Sequence, residues 1–225
     1  MNSLTLKIIG TILMIIDHLG MFFPTVFPVI FRLIGRLSAP IFFFLLVEGY
    51  RHTHNIMKYI KNTSIISIII LIINTIFSLF NNSIPISGIE PNIMLTFSFC
   101  LYYLLSIDRF LDKKNIMNFI FIIICIIGIC FSEGGIISLF LITFFNFMPK
   151  ITQRKSFYII GYLLGSIIFS FIFSTNIQFL MSLSIVFIML YNGKRGPNNR
   201  AIKYFFYLFY PIHLFIFSII YIIFF

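Results

Sequence analysis

The chain has 225 residues, of which 60% are hydrophobic and 10% charged, with a mean hydropathy of +1.07; a soluble domain is about 45–50% apolar and ~25% charged. Too little charge is present to cover a water-facing surface. That excludes soluble enzymes, nucleic-acid binders and disordered tails, in spite of the net charge of +10. The apolar runs, such as Ile65–Ile73 and Phe119–Ile127, do not alternate with polar residues as barrel strands do. The class that remains is an integral membrane protein of the all-α type.

A spanning helix takes roughly 20 residues, and cutting at polar or turn-rich stretches yields nine segments. They are approximately 6–23, 27–48, 62–80, 92–107, 116–131, 135–149, 156–173, 176–191 and 204–225. The breaks carry turn chemistry: Asn81-Asn82-Ser83, Ser87-Gly88, Glu133-Gly134-Gly135, Asn192-Gly193 and Gly196-Pro197-Asn198-Asn199. The expected architecture is a polytopic helix bundle of about nine transmembrane helices, a single domain over 1–225. Segments 116–131 and 135–149 are short, and one re-entrant hairpin is an alternative for them. Cys100, Cys125 and Cys130 all lie in apolar runs and read as small packing residues.

The basic residues orient the bundle. With the N-terminus in the cytoplasm, the inside segments hold fourteen of the sixteen Lys and Arg, among them Lys7, Arg51, Lys58, Lys194 and Arg195. The outside loops hold Glu90 and Glu133 and no Lys or Arg. This is the positive-inside pattern. It predicts an N-terminus in, a C-terminus out and a place in the cell (inner) membrane. The excess charge then reports contact with anionic lipid, and no nucleic-acid partner is expected.

The remaining two basic residues, Arg32 and Arg36, fall inside the second span; Asp17 and His18 fall in the first and His213 in the last. Charges at mid-bilayer cost roughly 2.5–3.5 kcal/mol on the lenient scale and mark function by default. At 1.5 Å per residue, His18 and Arg36 lie about 18 Å from the cytoplasmic end of their spans, and His213 about 14 Å. Arg32 and Arg36 are four apart, hence on one helix face. Adjacent Asp17 and His18 point roughly 100° apart. A histidine in such a pocket can take a proton from an attacking amine or hydroxyl. An arginine can neutralise an oxyanion or a phosphate. Asp17 can pair with Arg36 or orient an imidazole. An Asp–Arg staple between the first two helices is the alternative.

Two blocks add polar candidates. Arg51-His52-Thr53-His54 can hold a phosphate or read as a solvated cytoplasmic loop. Its two histidines make a weak metal signal with no third ligand in sight, and no metal is expected. Asn192–Gly196 can form a backbone nest for a phosphate, with Lys194 and Arg195 adding charge, or simply anchor the topology. Tyr207 and Tyr210 lie within about a turn of His213.

The N-terminal stretch Leu6-Lys7-Ile8-Ile9-Gly10, with Asp17-His18-Leu19-Gly20, Arg32-Leu33-Ile34-Gly35-Arg36-Leu37-Ser38-Ala39-Pro40 and Glu48-Gly49-Tyr50-Arg51-His52-Thr53, resembles the signature of the TraX family. So do Leu190–Gly196 and Phe206–Leu214 at the other end, and more weakly Asn92–Phe97 in the middle. The resemblance implies an inner-membrane protein of the kind that N-acetylates pilin during conjugative pilus biogenesis. The family is similar to the wider group of multi-pass membrane acyltransferases. By that resemblance His18 is the catalytic histidine, Arg32 and Arg36 the arginine pair, and acetyl-CoA the acyl donor. Asp17 and His213 support the site, and Arg51, Lys194 and Arg195 receive the donor nucleotide. The acceptor is an amine or hydroxyl on a pilin, peptide or surface glycan. Two rivals remain open: a small-solute transporter or channel, and a non-catalytic assembly factor for a surface structure. Inverted repeats, common in secondary transporters, are not found in the sequence.

Overall fold

The computed structural model describes residues 1–80, 92–151, 155–172, 179–197 and 199–224, and among them every regular element is a helix. In chain order these are α1 (Ser3–Phe22), α2 (Ile30–Gly35), α3 (Ser38–His52), α4 (Ile56–Phe80), α5 (Ile93–Asp112), α6 (Ile116–Cys130), α7 (Gly135–Ile151) and α8 (Lys155–Ile172). A 3₁₀ turn at Leu180–Leu183 runs into α9 (Ser184–Met189), and α10 (Arg200–Phe224) closes the chain. Five stretches are long and apolar enough to cross a membrane: Ser3–Phe22, Ile30–His52, Ile56–Leu79, Ile93–Asp112 and Arg200–Phe224. Four others, Ile116–Cys130, Gly135–Pro149, Lys155–Phe171 and Leu180–Met189, are shorter. The expected turns at Asn81–Ser83 and Ser87–Gly88, with Glu90, lie outside the described residues, as does the start of segment 176–191.

Local chemistry explains the helix ends. Asn2 caps α1, its Oδ1 accepting from the Thr5 backbone N–H at 2.9 Å and the Thr5 hydroxyl at 3.0 Å. Pro24 follows its C-terminus and forbids continuation. Asn55 caps α4 by accepting from the Lys58 N–H at 2.8 Å, so that helix starts at Ile56, ahead of the expected 62. The second expected span is interrupted: α2 ends at Gly35 and α3 begins at Ser38.

The chain divides into two compact units. The first comprises Met1–Val47 with Thr143–Phe206, the second Glu48–Ile142 with Tyr207–Phe225. In the first, Leu6 and Leu13 of α1 pack on Ile41 and Leu45 of α3, with Phe187 and Tyr191 against them. Phe145, Tyr158 and Tyr162 stack together, and the Tyr162 hydroxyl bonds the Ser184 hydroxyl at 2.8 Å. In the second, fully buried Asn92 caps α5 and donates from Nδ2 to the Ser67 carbonyl of α4 at 2.9 Å. The Tyr50 hydroxyl donates to the Asp108 carboxylate at 2.6 Å. Many large apolar side chains stay exposed, including Ile65, Ile68, Ile69 and Ile72 on α4, as a lipid-facing surface requires.

Candidate functional site

The site in the first unit is built at the crossing of α1 and α2, and two glycines make that crossing close. A β-carbon on Gly20 would stand 3.0 Å from Phe31 Cβ and 3.1 Å from Arg32 Cγ. A β-carbon on Gly35 would overlap Asp17 outright, at 2.2 Å from its Cβ. Small residues that let helix backbones approach are the usual device of packing in a membrane. Ser38, at the start of α3, adds a tie by donating to the Gly10 carbonyl at 2.9 Å.

This approach brings Arg32 to Asp17. Arg32 Nη1 donates to Asp17 Oδ2 at 2.7 Å and to the Asp17 carbonyl at 3.3 Å. The two side chains are 26% and 18% exposed, so the pair is largely removed from water. The sequence left Asp17 a choice between Arg36, an imidazole and an Asp–Arg staple between the first two helices; the structure gives the hydrogen bond to Arg32, a pair of the staple kind. Arg36 caps the C-terminus of α2, close enough for its charge to act on the Asp17 carboxylate. Two buried atoms here make no hydrogen bond to any protein group, Asp17 Oδ1 and Arg36 Nε. One is an acceptor and the other a donor. Buried polar atoms left without partners cost free energy and call for an explanation. His18 follows Asp17 on α1 and is buried, at 5% exposure.

His213 belongs to the second unit, on α10. Its Nδ1 lies 2.9 Å from the Phe209 carbonyl. A carbonyl oxygen only accepts, so Nδ1 carries the hydrogen and the neutral ring keeps its lone pair on Nε2. Phe209 stacks on the ring at 5.1 Å, and Tyr210 and Phe217 meet it edge-on. The Tyr210 hydroxyl accepts from the Ile93 N–H at 3.4 Å, which joins the central block Asn92–Phe97 to the C-terminal block Phe206–Leu214.

Lys194 and Arg195, in the first unit, stand apart from the α1–α2 crossing. Both are exposed, and the Ser3 N–H donates to the Lys194 carbonyl at 2.9 Å. They therefore sit at the N-terminal end of α1, and Ser3 to Asp17 is about 21 Å of helix at 1.5 Å per residue. Arg51 is exposed at the end of α3, in the second unit's range. His52 beside it pairs with Glu48 at 3.4 Å. Among the described residues no group of three His, Cys, Asp or Glu side chains gathers to hold a metal. Sequence reasoning passed over Gly35, which sets the crossing, and the Tyr50–Asp108 bond; Tyr50 stood within the block Glu48–Thr53, and that was the available signal.

Long apolar helices carrying an intramembrane carboxylate–guanidinium pair define a multi-span helical membrane protein. The model of the family described as TraX protein matches residues 3–221, and the chain belongs to that family. No curated protein and no solved structure matches it.

Proposed function

We propose that the chain is an integral membrane acyltransferase that passes an acetyl group from acetyl-CoA to an amine or hydroxyl acceptor, such as a pilin N-terminus, a peptide or a surface glycan. The observation that carries this reading is the α1–α2 crossing: a buried histidine, a carboxylate–guanidinium pair and a second guanidinium with a buried N–H that bonds no protein group. Family membership and the resemblance to membrane acyltransferases supply the reaction type.

The residues divide the work. His18 is the general base: it accepts the proton of the acceptor N–H or O–H as that atom bonds to the acyl carbon. It returns the proton to the thiolate as the carbon–sulfur bond breaks. Arg36 stabilises the negative charge that develops on the acyl oxygen, and its unsatisfied Nε suits an oxygen ligand. Arg32 holds Asp17, and Asp17 holds the α1–α2 register beside His18. The donor is anionic, and the first unit's ranges hold Asp17 as their one acidic residue. Its thioester chemistry is its own; the protein supplies orientation, a base and a charge.

The orientation proposed with this function is an N-terminus in the cytoplasm, a C-terminus outside, and nine spans in the inner membrane. The contact of Met1–Ser3 with Leu190–Lys194 supports it, because it sets Lys7 and the Lys194–Lys203 cluster at one end of the first unit. A second reading, a small-solute transporter, draws on the buried Thr63, Ser67, Asn74, Asn92 and Thr96 of the second unit.

The test is release of free thiol from acetyl-CoA by the purified chain, with the intact mass of surface peptides and glycans compared with and without the gene. Thiol release that depends on His18 and Arg36, together with an added acetyl mass, is expected. Neither thiol nor acetyl mass appearing would sink the enzyme and leave the transporter and the non-catalytic assembly factor.

A further inference from the structure

Arg36 stands in the break between α2 and α3. Its Nε is buried and bonds no protein group among the described residues, so its place is set chiefly by the main chain on either side. On the α2 side the anchor is Gly35: a β-carbon there would stand 2.2 Å from Asp17 Cβ, so residue 35 lies directly on α1. On the α3 side the anchor is Ser38, two residues on. Its hydroxyl is buried and donates to the Gly10 carbonyl at 2.9 Å. A β-carbon on Gly10 would meet the Phe42 ring and Ile41 Cγ2 at 3.2–3.3 Å, so the start of α3 lies against the same stretch of α1. Arg36 and Leu37 are held between these two points.

The two anchors differ in kind. Gly35 acts by close packing, whereas Ser38 acts through one directional bond. That bond is not needed to satisfy its acceptor. Gly10 lies in the interior of α1, where a helix carbonyl already accepts from the N–H four residues on. The serine bond is a second one to the same oxygen, and removing the hydroxyl leaves no buried carbonyl unsatisfied. Main-chain bonding across the break is weaker than in a continuous helix, because Pro40 has no N–H for the Arg36 carbonyl. The Ser38 hydroxyl supplies a tie where the helix ladder lacks one. A group that acts on a transition state tolerates little displacement: about 1 Å can cost roughly 10²-fold in rate.

We propose that Ser38 is the positioning residue for Arg36: its bond to the Gly10 carbonyl fixes the start of α3 on α1 and thereby sets where the Arg36 guanidinium stands at the α1–α2 crossing. This rests on the reading of Arg36 as the group that stabilises the acyl oxygen. Ser38 itself takes no part in making or breaking bonds.

The test is steady-state release of CoA from acetyl-CoA by the full-length protein in neutral detergent, read by chromatography, with thermal unfolding of each variant. Ser38→Ala should lower kcat about 10–10²-fold and leave KM within about twofold, since the lost interaction belongs to the transition state. Its unfolding midpoint should fall by only about 1–6 °C, as for one hydrogen bond. Ser166→Ala is the control: it removes an equally buried hydroxyl, bonded at 2.9 Å to the Tyr162 carbonyl of its own helix α8, and should keep kcat. Ser38→Cys keeps the size and a weak S–H donor. It should recover part of the rate, and it carries the test if the alanine variant does not fold. The double variant separates positioning from general damage. If Ser38 acts through Arg36, Ser38→Ala should cost nothing further in an Arg36→Gln background. Equal losses in both backgrounds, or a full rate in Ser38→Ala, would overturn the positioning role while the wild type still turns over. No CoA release from the wild type would overturn the reading of Arg36 and the positioning role with it.

Discussion

Gly35 and Asp17 occupy one place in the α1–α2 crossing: a β-carbon on Gly35 would lie 2.2 Å from Asp17 Cβ and 2.6 Å from its Cα. The clash is with main chain, which no rotamer change relieves. The register that delivers Arg32 to the Asp17 carboxylate therefore depends on the missing side chain at residue 35.

Gly35→Ala should force α2 away from α1, cost about 1–3 kcal/mol as overpacking does, and abolish acetyl transfer. Gly10→Ala is the comparison, since the nearest atoms to its β-carbon would be side-chain atoms, of the Phe42 ring and Ile41 Cγ2, at 3.2–3.3 Å. Thermal unfolding in detergent should rank Gly35→Ala well below Gly10→Ala, and equal midpoints would refute the close-packed crossing.

The two arginines should separate in mutagenesis. Asp17→Asn or Arg32→Gln leaves a charge without its partner and should cost about 1.5–3 kcal/mol, the usual loss for a hydrogen bond to a charged group. The double variant should cost less than the sum. Arg36→Gln gives up an Nε that bonds no protein group, so stability should hold while acetyl transfer falls. Lys at Arg36 should rescue only in part, because a point charge cannot reproduce the guanidinium fork. Equal loss of stability at positions 32 and 36 would return both to a staple.

The base is tested through pH. His18→Gln keeps hydrogen-bonding capacity and should lower transfer about 10²–10⁴-fold. A general base works only when deprotonated, so the wild-type rate should fall as the pH is lowered far enough to protonate the imidazole, and the variant should lose that inflection. His213→Gln is the matched control, for its Nδ1–H bond to Phe209 also leaves Nε2 as an acceptor. If the inflection vanishes only in His213→Gln, the base is on α10.

The short helices need a direct test of span. α6, Ile116–Cys130, has 15 residues, about 22 Å of helix, against a hydrocarbon core of about 30 Å. Single cysteines at Asn115 and Gly134, probed with an impermeant thiol reagent in intact cells, should label from opposite sides. Labelling from one side would make α6 and α7 a re-entrant hairpin, which removes two spans and leaves the sidedness from α8 onward unchanged.

The sequence carried the helical class and the rough cuts, because apolar runs of this length have no soluble alternative. It misplaced ends where charge was taken to mark a loop. Lys58 and Lys61 ride on α4, and Arg109 and Asp112 on α5, since long side chains reach water from a helix end. The break between Gly35 and Ser38 had one signal, Pro40 in the first turn of α3, whose ring removes the N–H that would bond the residue-36 carbonyl; the apolar pattern continues across it. Asp17, His18, Arg32 and Arg36 stood out because charge is rare in lipid. Which arginine meets Asp17 could not be read from spacing four apart, because the answer depends on how closely α2 approaches α1. Asn92 and Gly35 carried no charge to flag them, although each fixes a helix in place.

The hydrogen bonds from Met1 and Ser3 to Leu190–Lys194 also set a timetable for biosynthesis. Roughly 190 residues separate the partners, and at about 5–20 residues per second a ribosome takes roughly 10–40 s to make them. Through that interval the N-terminal end of α1 waits without the turn that finishes it. The residues of the second unit before Ile142 are all made while the first unit is still half a chain. Maturation of the chain is therefore nested: an inner stretch is synthesised whole before the outer stretch that brackets it can close.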